Sequence, residues 1–175
     1  MTKGELESQL TNAKNNYILG LAVISLFSSP EAYPILERNN AKFGGHSVSF
    51  NQVANLLRKP TDRDIAVKEF LNSQLRALIK ETFELLKDYC DETNQSAILK
   101  AQPWFHFARI IRNCLSHNFR FEFNSYDKSF LPLSWNRRTI ESSMDGQHLK
   151  LEFFGYPEAW DLFTEFHTFV SNRLR

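Results

Sequence analysis

The densest group of side chains that could handle a phosphate lies in one short segment, Arg112-Asn113-Cys114-Leu115-Ser116-His117. Histidine titrates near neutral pH and can act as a general base or a general acid. Arginine stays charged and offers a planar set of N–H donors that match phosphate oxygens. With an asparagine amide to position a reactant, these groups suit metal-independent cleavage of RNA, in which the 2′-hydroxyl attacks the adjacent phosphate.

Helical periodicity over residues 104–117 separates an apolar face from a polar one, at about 100° per residue. The narrow apolar face and its flank hold Trp104, Ala108, Ile111, Leu115, Phe107, Ile110 and Cys114. The remaining sector holds Arg109, Arg112, Asn113, Ser116, His106 and His117, with Phe105 as its one apolar member. We therefore expect one helix that packs a core and presents cations and imidazoles on its other side.

The spacing of Arg112 and His117 predicts a second copy of the chain at the site. The two residues are five positions apart, which turns their side chains by roughly 140° on a helix. They bracket Asn113 and Ser116 instead of converging on one point. Because one chain supplies a single motif histidine and the reaction uses both an acid and a base, a symmetric homodimer would complete the site.

The Arg-Asn-x-x-Ser-His pattern on a late helix of a small helical protein resembles the Rx4–6H motif of HEPN (higher eukaryotes and prokaryotes nucleotide-binding) proteins. Many HEPN proteins are metal-independent endoribonucleases of toxin–antitoxin, abortive-infection or other defence systems, and they act as dimers with a composite site. The resemblance implies that Arg112, Asn113 and His117 are catalytic. It also implies an RNA substrate and a possible antitoxin or other regulatory protein.

Arg109, Ser116 and Arg120 are candidate RNA-binding residues, since they flank the motif with phosphate-friendly groups. Each has a plainer interpretation. Either arginine could pair with a nearby acid such as Glu122, and Ser116 is typical of a hydrogen-bonding residue at a helix end. We expect neither a metal nor a cofactor, because the cysteines and histidines lack zinc-ligand spacing.

Further interpretations stay open. Arg112 and His117 could lie on an ordinary solvated helix face, and His106 could pack rather than support the site. Arg137-Arg138 beside Trp135 could grip single-stranded RNA or carry ordinary surface charge. The alternative function is that of a non-catalytic HEPN-like module that binds RNA, a nucleotide or a protein. A third hypothesis is a helical interaction protein in which the motif is coincidental.

The elements that must position the motif are mainly helices. Apolar residues recur at helical spacing from Leu6 to Ile24, and Ser28-Ser29-Pro30 ends that helix. A second long helix is predicted from a Thr61 cap to about Cys90. The motif helix should open at Pro103 and end near Asn118, and a closing helix should run through Trp160 and Val170.

Two stretches alternate like strands. Phe119, Phe121 and Phe123 alternate with polar residues, as do Leu149, Leu151 and Phe153. Asp145-Gly146 is a strong hairpin turn. The predicted fold class is mainly α: an HEPN-like helical bundle with a small β-hairpin insert near residues 137–153.

Composition limits the broader alternatives. The 175 residues predict one domain over residues 1–175, and 42% hydrophobic residues with 16 phenylalanines are enough for a core. A net charge of +1 argues against a protein that coats long stretches of DNA. Two separated cysteines and an apolar run shorter than the roughly 20 residues of a membrane span favour a soluble cytoplasmic protein.

Overall fold

The computed structural model describes residues 1–175, and 67% of them are helical. The α-helices are α1 (Lys3–Phe27), α2 (Tyr33–Arg38), α3 (Asn51–Arg58), α4 (Pro60–Arg76), α5 (Thr82–Glu92), α6 (Ser96–Lys100), α7 (Phe105–Ser116), α8 (Ser125–Lys128) and α9 (Tyr156–Arg173). Two antiparallel strand pairs accompany them, β1 (Asn40–Phe43) with β2 (His46–Ser49), and β3 (Leu133–Trp135) with β4 (Arg138–Ile140). The predicted mainly helical class is confirmed.

The chain divides into two compact units, one of residues 1–15 with 75–175 and one of residues 16–74. The prediction of one domain over residues 1–175 stays a prediction. No single helix combines the length and the apolar character that a membrane span needs. The bent pair of Lys3–Phe27 and Pro30–Arg38 meets that test only when its two parts are counted together.

The unit of residues 16–74 has its own small core. Leu36, Ala54 and Leu57 are buried there, and Phe27, Tyr33 and Phe50 pack against them. The β1–β2 hairpin turns at Gly44-Gly45, where Gly44 has a φ of 59° that costs glycine little. Helix α3 follows the hairpin directly, from Asn51.

The second long helix begins at Pro60, one residue before the predicted Thr61 cap, and continues to Glu92. It is interrupted by one π-helical turn, Ala77–Glu81. Such turns are rare and widen the helix by one residue. This turn packs against α7 and α9, so it lies next to the helix that carries the motif.

The core of the other unit is aromatic. The π-helical turn, α5, α7 and α9 meet there around Phe83, Phe107 and Phe166, each no more than 1% exposed. The Phe83 ring lies 5.8 Å from the Phe166 ring, and Trp104 lies 5.0 Å from the same ring. Burial of rings of this size is among the larger favourable contributions to folding. The predicted core face of α7 is confirmed by the burial of its members.

The hairpin predicted near residues 137–153 is wrong in position. The strands are 133–135 and 138–140, joined by Asn136-Arg137, whose φ values of 44° and 62° suit a tight hairpin turn. Asp145-Gly146 instead leads into a stretch that faces residues 119–121, with a bridge between Arg120 and His148. Neither of the two alternating stretches predicted as strands forms one: they contact each other through that isolated bridge and the bond between Phe119 and Leu149, and residues 151–153 form a turn. Alternation of apolar and polar residues shows which side of a stretch is buried, but not which other segment the stretch pairs with. The sequence therefore misassigned the pairing.

Candidate functional site

Helix α7 is anchored on one side by its apolar face, which fixes the direction of the motif side chains. Phe107, Ala108, Ile111 and Leu115 are fully buried. Phe105, which the helical wheel placed in the polar sector, is also buried, with its ring 5.8 Å from Phe83. It lies at the first position of the helix, where the chain has just entered the core from Trp104.

Arg112 is held by α5 and by its own neighbour. Its Nη2 lies 2.6 Å from Oε1 of Glu84, and its Nη1 donates to Oδ1 of Asn113 at 2.8 Å. The guanidinium also lies over the Phe83 ring, 5.9 Å from the centroid. Its Nε is buried with no hydrogen-bond partner. Arg112 is therefore restrained by an ion pair, and its side chain is 23% exposed.

Asn113 and His117 share an open groove, which we call the motif groove. Its volume is about 440 Å³, and it is lined by Asn113 and His117, by residues 121–124 and by Asp145-Gly146. Arg112 is not among the lining residues. The structure thus brings two of the three predicted catalytic residues together and leaves the third one position away, bonded to Asn113.

His117 ends the helix and remains accessible. Its backbone N–H donates to the Asn113 and Cys114 carbonyls at 3.0 and 3.1 Å. In its side chain, Nδ1 lies 3.1 Å from Oε2 of Glu122, and the two side chains are 52% and 53% exposed. An imidazole beside a carboxylate is the pairing that general-base sites use to orient a histidine.

The chain reverses immediately after His117. Asn118 and Phe119 have φ values of 53° and 61°, in the left-handed region that asparagine tolerates and a bulky residue rarely adopts. The following stretch is extended, with Phe121 and Phe123 buried and Glu122 exposed between them. This alternation turns Glu122 toward the motif groove.

Backbone hydrogen bonds hold that extended stretch in place. Phe119 accepts from Leu149 at 2.7 Å, and Phe121 exchanges bonds with Gly146 and Gln147 at 2.8 and 2.9 Å. At the end of the stretch, the Phe123 N–H donates to Asp145 Oδ1 at 3.0 Å. That bond, together with Lys128, lowers the pKa of the Asp145 carboxyl. The groove therefore contains a second carboxylate that is already engaged.

Arg109 is not one of the residues that line the motif groove, and its guanidinium is held within the chain. Its Nη1 donates to Oδ1 of Asp127, a carboxylate that is only 2% exposed, and its guanidinium stacks 4.4 Å from the Tyr126 ring centroid. Asp127 also closes a capping box with Asn124 at the start of α8. The sequence expected a nearby acid such as Glu122 for Arg109, but the acid is Asp127.

The other candidate residues, Ser116, Arg120 and His106, all have partners within the chain. Ser116 Oγ donates to the Arg112 carbonyl at 3.0 Å, a hydrogen bond typical of a serine at a helix end. Arg120 donates to the Gly146 carbonyl and its Nη2 lies 3.1 Å from His148 Nε2. His106 stacks on Phe130 with 3.7 Å between ring centroids, and burial lowers its pKa. These contacts make His106 a packing residue.

Arg137 and Arg138 beside Trp135 do not form one cationic patch. Arg138 pairs with Glu158 at the start of α9, while Arg137 is exposed in the β3–β4 turn. Trp135 packs its ring 5.2 Å from Phe107. Trp135 is half-buried against Phe107, so only part of its ring is exposed for stacking on single-stranded RNA.

Both cysteines are buried and unreactive in character. Burial raises the pKa of the Cys114 thiol, and that of Cys90, to about 12. Cys114 therefore contributes to the core face of α7 and offers no thiolate to the groove. No group of three or more His, Cys, Asp or Glu side chains is arranged to hold a metal ion.

Sequence reasoning missed the roles of two acids, Glu84 and Glu122. Glu84 lies 28 positions before Arg112 in the chain and faces it from another helix, so no local pattern could reveal it. Glu122 did carry a signal, because alternation placed it opposite the buried Phe121 and Phe123. The arrangement as a whole offers a proton acceptor at His117, amide donors at Asn113 and a cation at Arg112.

Comparison with protein-family models, with curated proteins and with solved structures finds no match to this chain.

Proposed function

We propose that the protein is a metal-independent endoribonuclease of the HEPN type that works as a homodimer. The observation that carries the proposal is the accessible His117 imidazole, which shares the motif groove with Asn113 and follows Arg112 on one helix. The three residue types match the chemistry of RNA cleavage, and the groove is open to a substrate as large as a nucleotide.

The reaction follows from these groups. A base takes the proton of the ribose 2′-hydroxyl while its oxygen bonds to phosphorus. The bond from phosphorus to the 5′-oxygen breaks, and an acid protonates the leaving oxygen. The products are a 2′,3′-cyclic phosphate and a 5′-hydroxyl. One motif groove holds one histidine, so the second copy supplies the other proton-transfer group.

Asn113 and Arg112 are the proposed phosphate-binding pair. The Oδ1 of Asn113 already accepts from Arg112, which leaves the amide hydrogens of Asn113 as donors for a phosphate oxygen. Arg112 is 23% exposed and held by Glu84, so a phosphate would compete with that carboxylate for the guanidinium. Glu84 thereby keeps the site inactive until a substrate phosphate takes its place on Arg112.

The test is incubation of purified wild-type and His117→Ala protein with mixed RNA in excess EDTA, followed by end-group analysis. Cleavage by the wild type alone, leaving cyclic phosphate, supports the proposal. His46→Ala is the matched control, since His46 is an exposed histidine on β2 and is not one of the residues that line the motif groove. Full activity of His117→Ala, or loss of activity in His46→Ala alone, would contradict it.

A specific observation favours a second candidate, a non-catalytic module of the same kind that binds RNA, a nucleotide or a protein. Both arginines of α7 are engaged in ion pairs within the chain, Arg109 with Asp127 and Arg112 with Glu84. This candidate predicts saturable RNA binding without cleavage, weakened by Arg112→Ala. If instead the enzyme is active and toxic, a neutralising protein partner is expected.

A further inference from the structure

Neutral histidine has one nitrogen that carries a hydrogen and one that carries a lone pair, and the site decides which is which. At His117 the two nitrogens have different surroundings. Nδ1 lies 3.1 Å from a carboxylate oxygen of Glu122, whereas Nε2 has no protein partner. The identity of the free nitrogen determines whether the neutral ring can take or give a proton.

A carboxylate only accepts hydrogen bonds, so a ring nitrogen within 3.1 Å of it is favoured in its N–H form. A lone pair at Nδ1 would lie close to the negative charge of Glu122 and be repelled by it. Hydrogen at Nδ1 leaves the lone pair on Nε2. The same carboxylate stabilises the imidazolium that forms once Nε2 has taken a proton.

From this geometry we infer that Glu122 is a positioning residue that fixes the Nδ1–H tautomer of His117, making Nε2 the general base of the reaction. The inference rests on the proposed function. It specifies that the neutral His117 takes a proton as the general base, a choice between base and acid that the residue type alone leaves open. In the forward step Nε2 takes the 2′-hydroxyl proton as the 2′-oxygen bonds to phosphorus. The leaving 5′-oxygen then takes its proton from another donor, such as the imidazolium of the second copy.

The placement of both partners is built into the fold. His117 is fixed by the end of α7, where its N–H is bonded to two helix carbonyls. Glu122 is fixed by the burial of Phe121 and Phe123 on either side. The left-handed Asn118 and Phe119 bring the two segments back together within five residues. Two exposed side chains thus meet because their backbones cannot move independently.

The first test is spectroscopic and needs no activity. Nitrogen-15 spectra of the imidazoles distinguish a ring nitrogen that carries hydrogen from one that does not. They are recorded at about pH 8.5, where an ordinary histidine is neutral. The His117 signals are assigned by their loss in His117→Ala. We expect Nδ1–H as the main form in the wild type, and a fall in the Nδ1–H to Nε2–H ratio of up to about fivefold in Glu122→Ala, the range for an exposed pair.

The matched control is Glu152→Ala, which removes an exposed carboxylate with no ion pair or hydrogen bond in the protein. It should leave the His117 tautomer unchanged. A wild-type His117 that is mainly Nε2–H overturns the inference. So does a tautomer ratio that is the same in Glu122→Ala as in the wild type.

Kinetics separate this inference from the proposed function. If RNA is cleaved, Glu122→Ala should lower kcat about tenfold with KM little changed, well below the effect of removing a buried triad carboxylate. Full kcat in Glu122→Ala with a cleaving wild type rejects the positioning role but keeps the enzyme. Absence of cleavage by the wild type, with the expected tautomer change, rejects the enzyme while the Glu122–His117 pairing stands.

Discussion

Nη2 of Arg112 lies 2.6 Å from Oε1 of Glu84, so the cation of the motif is paired with a carboxylate from the neighbouring helix α5. The Arg112 side chain is 23% exposed and that of Glu84 36%. The pair is thus partly shielded from water but open to exchange. If Arg112 binds the RNA phosphate as proposed, the phosphate has to displace Glu84 from the guanidinium, and Glu84 should weaken RNA binding.

Glu84→Gln should tighten the binding of a short single-stranded RNA about two- to fivefold, because a partly exposed ion pair is worth roughly 0–1 kcal/mol. Binding is best measured by fluorescence anisotropy at low salt in a His117→Ala background, which keeps the RNA intact. Glu81→Gln is the control, as it makes the same charge change at an exposed position one turn earlier. Equal effects of the two variants would show that only net charge matters.

Asp127→Ala should lower the free energy of unfolding by about 2–3 kcal/mol, since it leaves Arg109 unpaired and removes the Asp127 carboxylate from the capping box of α8. Urea denaturation followed by circular dichroism measures it. Asp88→Ala provides the comparison, because Asp88 is exposed and 3.8 Å from its nearest cation, Lys87. A loss at Asp127 no larger than that at Asp88 would refute a structural role for the Arg109–Asp127 pair.

Asn118→Val should destabilise the protein by about 1–2 kcal/mol, since a β-branched residue resists the left-handed conformation that Asn118 adopts with a φ of 53°. Asn118→Gly is the paired variant, and it should stay within about 0.5 kcal/mol of the wild type because glycine accepts that φ. Thermal unfolding of both proteins gives the comparison. Similar losses in the two variants would point to the asparagine side chain instead of the backbone.

Alkaline pH should destabilise the protein through its two buried thiols. Burial raises the pKa of Cys90 and Cys114 from about 9 to about 12, so the folded protein keeps these protons where the unfolded chain loses them. Their contribution is complete below pH 9 and falls as the pH rises toward 12, by up to about 1.4 kcal/mol per pH unit for each thiol. Urea midpoints at pH 8 to about 10 measure the slope.

The Cys90→Ala/Cys114→Ala double variant is the control for that slope. It loses some packing at every pH, but its stability should decline less steeply above pH 9. The same steepness in the variant and the wild type would assign the alkaline loss to other groups.

The sequence by itself determined the helices and the two faces of α7. Helical spacing of apolar residues needs only local backbone geometry, so it predicted the approximate extent of the long helices and an end of α7 near Asn118, two residues beyond its observed end at Ser116. The same periodicity identified which side chains of α7 would be buried. The sequence alone could not show that Arg112 and Arg109 have different partners, because both lie on the polar side of one helix.

The tertiary structure decided the partners. Arg109 lies beside Asp127 and Arg112 beside Glu84 because distant segments of the chain meet there, 18 and 28 positions away. The alternating stretch after α7 pairs with residues 146–149 for the same reason, which moved the hairpin to residues 133–140. The periodicity of the sequence shows which face of a helix or strand is apolar. Only the tertiary structure shows which other segment packs against that face. The contact between His117 and Glu122 likewise became visible only in the tertiary structure.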